Sequence, residues 1–84
     1  MRLVLVEWHD SFGCSANWEE IGEDCAPKVL TCRSVGWLVY DGEDCKVIVP
    51  HLAEATDHTL RQGCGDMTIP ARAILSLVDL QAAA

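Results

Sequence analysis

The chain has 84 residues, half of them hydrophobic, and its thirteen Asp and Glu residues outnumber six Lys and Arg, which gives a formal charge of −7. This length predicts one domain over residues 1–84, and the composition excludes a disordered chain. No apolar run approaches the roughly 18 residues that cross a membrane, so we expect no membrane partner. The acidic balance disfavours direct binding to DNA or RNA and favours a basic protein partner.

The first predicted element is a β-strand over Arg2–Trp8. Both alternating sets of positions near its start are apolar, which is typical of a central or interface strand. The apolar run is shorter than that of a signal peptide, so we expect a cytoplasmic protein. In the irregular stretch that follows, His9–Pro27, Asn17 and Glu20 have the spacing of a capping box, which predicts one helical turn over Trp18–Ile21.

A hairpin is the clearest structural signal. Two runs rich in β-branched and aromatic residues, Val29–Tyr40 and Cys45–Pro50, flank the dipeptide Asp41-Gly42. Such a dipeptide takes the positive φ angles of a tight turn, so we expect the two runs to form the central antiparallel pair. Gly36 interrupts the first run and predicts a bulge or a sharp bend there.

The last third of the chain leaves two alternatives open. His51–Gly65 is polar and predicts either a surface loop or a short helix around Leu52–Ala55. Asp66–Pro70 predicts a short strand that the proline stops. Ala71–Leu80 fits both a helical stripe and one face of a strand.

This order of elements resembles an SH3-like or Sm-like barrel of about five strands, a mainly all-β fold in which a one-turn 3₁₀ helix often precedes the last strand. The resemblance rests on Val29–Leu80. The chain lacks the sequence motifs that define Sm proteins, so their RNA binding is not implied, and the acidic turn Asp41–Asp44 is a poor phosphate contact.

Short sequence pieces spread over most of the chain carry a second resemblance, to small uncharacterised proteins encoded by bacteriophages and prophages. That resemblance implies a phage accessory origin, a bacterial host cell as the location, and no activity or catalytic residue. The pieces are Val6-Glu7-Trp8 with Asp10-Ser11, the run from Cys32 to Leu38, and Ile69-Pro70 with Ala73-Ile74.

Neither a metal site nor a cofactor site is predicted. The five cysteines have no zinc-knuckle spacing, since the nearest pair, Cys25 and Cys32, is seven residues apart, and their odd number leaves at least one unpaired. Without a signal peptide we expect reduced thiols, of which Cys14 and Cys64 lie in predicted loops. The remaining cysteine and the three histidines are scattered along the chain: Cys45, His9, His51 and His58.

No catalytic residue is predicted either. His9, Asp10 and Ser11 are the residue types of a hydrolytic triad, but neighbours on an extended chain point in alternating directions. Asp10 and Ser11 are instead expected to end the first strand by turning the chain through side-chain hydrogen bonds to the backbone. His51 and Asp57-His58 read as part of a solvated loop, so we expect a protein that is not an enzyme.

The aromatic residues divide between core and surface. Trp8 and Trp37 are expected in the core. Trp18 either covers an open end of the barrel or, with Tyr40, stacks on a planar ligand or anchors a partner. The excess of apolar residues in Arg2–Val6 and Ile74–Leu80 predicts a homo-oligomer.

The sequence therefore predicts a non-enzymatic phage accessory binding protein. One hypothesis is that its acidic surface blocks a host protein of defence or nucleic-acid processing; the alternative is an oligomeric sponge that sequesters a signalling nucleotide. Convergence of basic and aromatic side chains in a cleft would favour the nucleotide, and dispersal would favour the protein. The candidate binding residues are Trp18, Arg33, Tyr40, Lys46, Arg61 and Arg72.

Overall fold

A computed structural model describes residues 1–11, 18, 20, 22 and 29–80 of the chain. This part is mainly β, as the sequence predicts, and its helical content is one 3₁₀ turn, Ala71–Ala73. The predicted helical turn Trp18–Ile21 includes Glu19 and Ile21, which lie outside the described residues. The strands are β1 (Leu3–Ser11), β2 (Val29–Asp41), β3 (Cys45–Val49), β4 (His51–Ala53), β5 (Gln62–Cys64), β6 (Met67–Pro70) and β7 (Ile74–Asp79).

Five of these strands form one antiparallel sheet in the order β6-β3-β2-β1-β7. β1 lies between β2 and β7, so that Val4 pairs with both Gly36 and Asp79. The apolar pattern on both sides of β1 therefore belongs to a central strand, as the sequence predicts. β4 and β5 form a separate two-stranded antiparallel sheet.

The predicted pairing of the central hairpin is confirmed, because β2 and β3 are antiparallel neighbours. Two details of the prediction are wrong. The irregularity in the β2–β3 register lies between Leu38 and Tyr40, whereas Gly36 pairs regularly with Val4. Among the described glycines only Gly65 has a positive φ, of 78°, so Gly42 does not take the conformation expected of it, and three residues, 42–44, separate β2 from β3.

The 3₁₀ turn joins the two edge strands of the sheet, β6 and β7. The open prediction for Ala71–Leu80 is thereby resolved as a turn followed by a strand. Of the two alternatives for His51–Gly65, the surface loop is observed over residues 54–61 and the short helix is not; Leu52 lies in β4 and pairs with Gly63. No ladder joins β6 to β7 within the described residues, so the expected closure of the barrel is not observed there.

The core covers one face of the five-stranded sheet, termed here the inner face. Val4 and Val6 are fully buried in it, and Trp8 packs against the cluster. Trp37 was expected in the core, but it pairs with Leu3, whose side chain points to the other face. The buried members of the cluster are Val4, Val6, Leu38, Ile48 and Ile69.

The opposite, outer face is partly covered by the small β4–β5 sheet. A Cβ added at Gly63 would lie 3.4 Å from Cγ1 of Val49, which is 3% exposed. Leu5, Val35 and Val78 share the outer face beyond that cover, because Leu5 pairs with both of the others. None of the described helical residues forms a segment long and apolar enough to cross a membrane.

Candidate functional site

Charged side chains meet at the end of the sheet where β2 turns into β3. Arg2 donates from Nε to Asp79 Oδ1 at 2.7 Å and from Nη1 to Asp41 Oδ2 at 3.4 Å. Lys46 donates to the second oxygen of Asp41. Antiparallel pairing produces this cluster, because the last residues of β2 and β7 lie beside the residue that precedes β1.

Carboxylates outnumber cations in this cluster. The turn that follows Asp41 adds the exposed side chains of Glu43 and Asp44, so four carboxylates lie near two cations. This group is termed the acidic end: Arg2, Asp41, Glu43, Asp44, Lys46 and Asp79.

The ion pairs keep the acidic end charged. The hydrogen bond from Lys46, with the charges of Lys46 and Arg2, lowers the pKa of Asp41 below its ordinary value of 3.8. The hydrogen bond that Arg2 donates to Asp79 raises the pKa of Arg2, because it stabilises the charged guanidinium. Asp41 therefore stays ionised at neutral pH, and both cations are already engaged by carboxylates of the same chain.

Two of the six predicted binding residues lie together in the hairpin. Tyr40 pairs with Val47, one position along β3 from Lys46. The Lys46 ammonium is occupied by Asp41 and lies 3.4 Å from the carbonyl oxygen of Gly42. Since a bound phosphate would have to displace Asp41, this pair is poorly suited to hold one.

The other four predicted residues lie on separate elements. Arg33 on β2 donates to Glu7 at 3.0 Å, and Arg61 before β5 donates to Glu54 at 3.1 Å. Arg72 lies in the 3₁₀ turn, and Trp18 is fully exposed. The predicted cations are therefore dispersed, and three of them are paired with carboxylates.

An apolar cleft lies on the outer face, between the five-stranded sheet and the β4–β5 sheet. Three cavities of about 310, 340 and 230 Å³ all touch Met1, and two of them share Trp37. Leu52 and Arg61 line the two cavities nearest the small sheet. We term this depression the Trp37 cleft; its apolar walls also include Leu3, Val39, Val47, Val49 and Leu80.

The sequence interpretation missed Trp37 and Arg2 as site residues. The signal for Trp37 was its position next to Leu38: adjacent strand residues face opposite ways, so one of the two had to leave the core. Arg2 carried no local signal, since its partners Asp41 and Asp79 are distant in the chain.

The described residues contain no group of three or more His, Cys, Asp or Glu side chains arranged to hold a metal ion. Cys32, Cys45 and Cys64 are free thiols, and Cys64 is exposed. Cys14 and Cys25, the other cysteines, lie outside the described residues.

The three residues of triad type end β1. The carboxylate of Asp10 accepts a 2.8 Å hydrogen bond from the backbone N–H of Ser11, and His9 is exposed. The expected turn is not observed at these residues, because Asp10 and Ser11 both pair with β2 and β1 extends three residues beyond its predicted end at Trp8.

Comparison of the chain with protein-family models, with curated proteins and with solved structures finds no match. The resemblance to small phage and prophage proteins therefore stays a prediction.

Proposed function

We propose that this chain is a non-enzymatic binding protein whose acidic end docks on a basic surface of another protein. The sequence resemblance favours a phage or prophage accessory protein that acts in the cytoplasm of the host. A basic surface is typical of proteins that process nucleic acid, so a defence or nucleic-acid-processing protein of the host is the expected partner.

The observation that carries the proposal is the charge arrangement of the acidic end. Glu43 and Asp44 are exposed in the turn that follows Asp41, while Arg2 and Lys46 are held by carboxylates of the same chain. Fixed carboxylates of this kind steer a basic partner into contact and select against acidic ones.

The nucleotide sponge receives less support. Sequestration of a nucleotide needs basic side chains free to contact phosphate beside an aromatic ring. Arg33, Lys46 and Arg61 are each paired with a carboxylate.

We also propose a homo-oligomer. Val35 and Val78 share the outer face and are 53% and 48% exposed, and the edge strand β7 adds the exposed Leu75. Apolar side chains on a sheet face and along its edge favour association with a second copy. Light scattering should give a multiple of the chain mass, and Val35→Glu should lower it, whereas Val29→Glu, an exposed position at the start of β2, should not.

For the fold we propose an SH3-like barrel. The strand order β6-β3-β2-β1-β7 and the 3₁₀ turn between the two edge strands support this assignment.

Affinity capture tests the proposed function. The chain is immobilised and exposed to bacterial lysate, and bound proteins are eluted with salt and identified. A basic protein should bind the native chain and should bind the double variant Glu43→Gln, Asp44→Asn several-fold more weakly. Asp57→Asn, a charge change in the connection between β4 and β5, is the matched control. In parallel, a panel of nucleotides is tested in a thermal-shift assay. If a nucleotide stabilises the protein and no salt-sensitive capture is seen, the nucleotide-sponge hypothesis replaces this proposal.

A further inference from the structure

The Trp37 cleft lies next to the acidic end. Arg2 and Asp79 belong to the acidic end and also line the cavity that holds Leu3 and Trp37. A partner that contacts Arg2 and Asp79 at the acidic end therefore lies beside this cavity.

We propose that the Trp37 cleft receives one large apolar side chain from a basic segment of the partner protein. This inference rests on the proposed function and names the contact that would give it specificity. A buried aromatic or aliphatic anchor in a pocket, with charged groups at the rim, is how small interfaces concentrate their binding free energy.

The cleft has the size and lining that such an anchor needs. The cavity beside the acidic end, of about 310 Å³, is lined by Leu3, Trp37 and Leu80. Trp37 is partly buried, so its indole is held by the fold and part of it remains open to a ligand. A lone aromatic side chain fits this space.

The charges around the rim select the flanking residues of that anchor. The lining side chains include the carboxylates of Glu54, Asp66 and Asp79, against the guanidinium groups of Arg2 and Arg61. Each guanidinium already has a carboxylate partner: Arg2 has Asp79, and Arg61 has Glu54. No ion pair is found for Asp66 among the described residues. A lysine or arginine beside the anchor can therefore pair with Asp66, whereas a glutamate there would be repelled by it.

Three acetylated pentapeptides test the proposal by nuclear magnetic resonance titration. The first has phenylalanine flanked by two lysines on each side, the second replaces the phenylalanine with alanine, and the third replaces the lysines with glutamates. The first should shift the indole N–H signal of Trp37 and saturate. The second should bind about tenfold more weakly, because it lacks the side chain that fills the cavity. The third should leave the spectrum unchanged.

Substitutions distinguish binding in the Trp37 cleft from general electrostatic attraction of a basic peptide to the acidic protein. Glu54→Gln should weaken binding of the lysine–phenylalanine peptide, and Trp37→Ala should abolish it, while the backbone amide spectrum reports whether each variant folds. Val29→Ala, an exposed position at the start of β2 that lines none of the three cavities, is the matched control. Equal binding of the phenylalanine and alanine peptides, or no loss in either cleft variant, would overturn the proposal. If the peptides fail but the basic protein is still captured through Glu43 and Asp44, the cleft is wrong and the proposed function stands.

Discussion

The indole of Trp8 donates a 3.0 Å hydrogen bond from Nε1 to the hydroxyl of Ser34 across the central pair of strands. Both side chains are partly buried, so the bond satisfies a donor that the core would otherwise leave unpaired. The contact ties β1 to β2 on the inner face.

Ser34→Ala should lower the free energy of unfolding by about 1 kcal/mol, because it leaves the indole N–H without its acceptor. In a domain of this size that corresponds to a fall in melting temperature of roughly 4–8 °C. Ser76→Ala, at an exposed position on β7, should change the melting temperature little. Equal effects of the two variants in calorimetry would show that the hydrogen bond contributes nothing.

Gly36→Ala should destabilise the fold by about 1–3 kcal/mol, because the added methyl has no room. Its Cβ would lie 3.0 Å from the carbonyl oxygen of Val49 and 3.1 Å from Cβ of Ile48. At Gly63 the nearest atom to the added Cβ is 3.4 Å away, so Gly63→Ala should be neutral. Urea denaturation of both variants measures the difference, and a neutral Gly36→Ala would disprove the close packing.

The pairing of Asp41 with Lys46 should appear in the acid dependence of stability. Because the pKa of Asp41 is lowered in the folded state, its contribution is fully present above the ordinary value of 3.8 and is lost as the pH falls through the lowered pKa. Asp41→Asn should therefore lower the melting temperature at pH 7, and its deficit should shrink toward pH 2. A constant deficit across that range would contradict the assignment. Asp57→Asn serves as the control.

The fold should not depend on metal or disulfide bonds. Cys32, Cys45 and Cys64 are free thiols, and burial of Val4, Val6 and their neighbours supplies the core. A chelator together with a thiol reductant should leave the melting temperature nearly unchanged. A fall of ten degrees or so, corresponding to about 1–3 kcal/mol, would instead indicate that a metal ion or a disulfide bond stabilises the fold.

The strands were predictable where their signals are local. Alternation and β-rich composition gave β1, β2 and β3, and Pro70 marked the end of β6. The identity of the inner face was harder, because β1 and β2 are apolar on both sides and alternation alone cannot say which set lies in the core.

The candidate site was less predictable, because it is assembled from distant parts of the chain. Arg2 meets Asp79 only through the pairing of β1 with β7, and Trp37 meets Leu52 only because the β4–β5 sheet folds over β3. The composition shows that acidic residues outnumber basic ones. Which carboxylates form ion pairs with Arg33 and Arg61 is apparent only from the structure.

Because β1 is a central strand, the sheet cannot be completed until both of its partner strands have been synthesised. Its two partners are β2 and β7, and β7 is the last of the described strands to be synthesised. Until then one side of β1 is an unpaired apolar edge, which invites pairing with other nascent chains. Such distant pairings also make refolding slow, on the scale of milliseconds to seconds. A chain that stops at Ala73 would leave β1 in that state permanently and should aggregate.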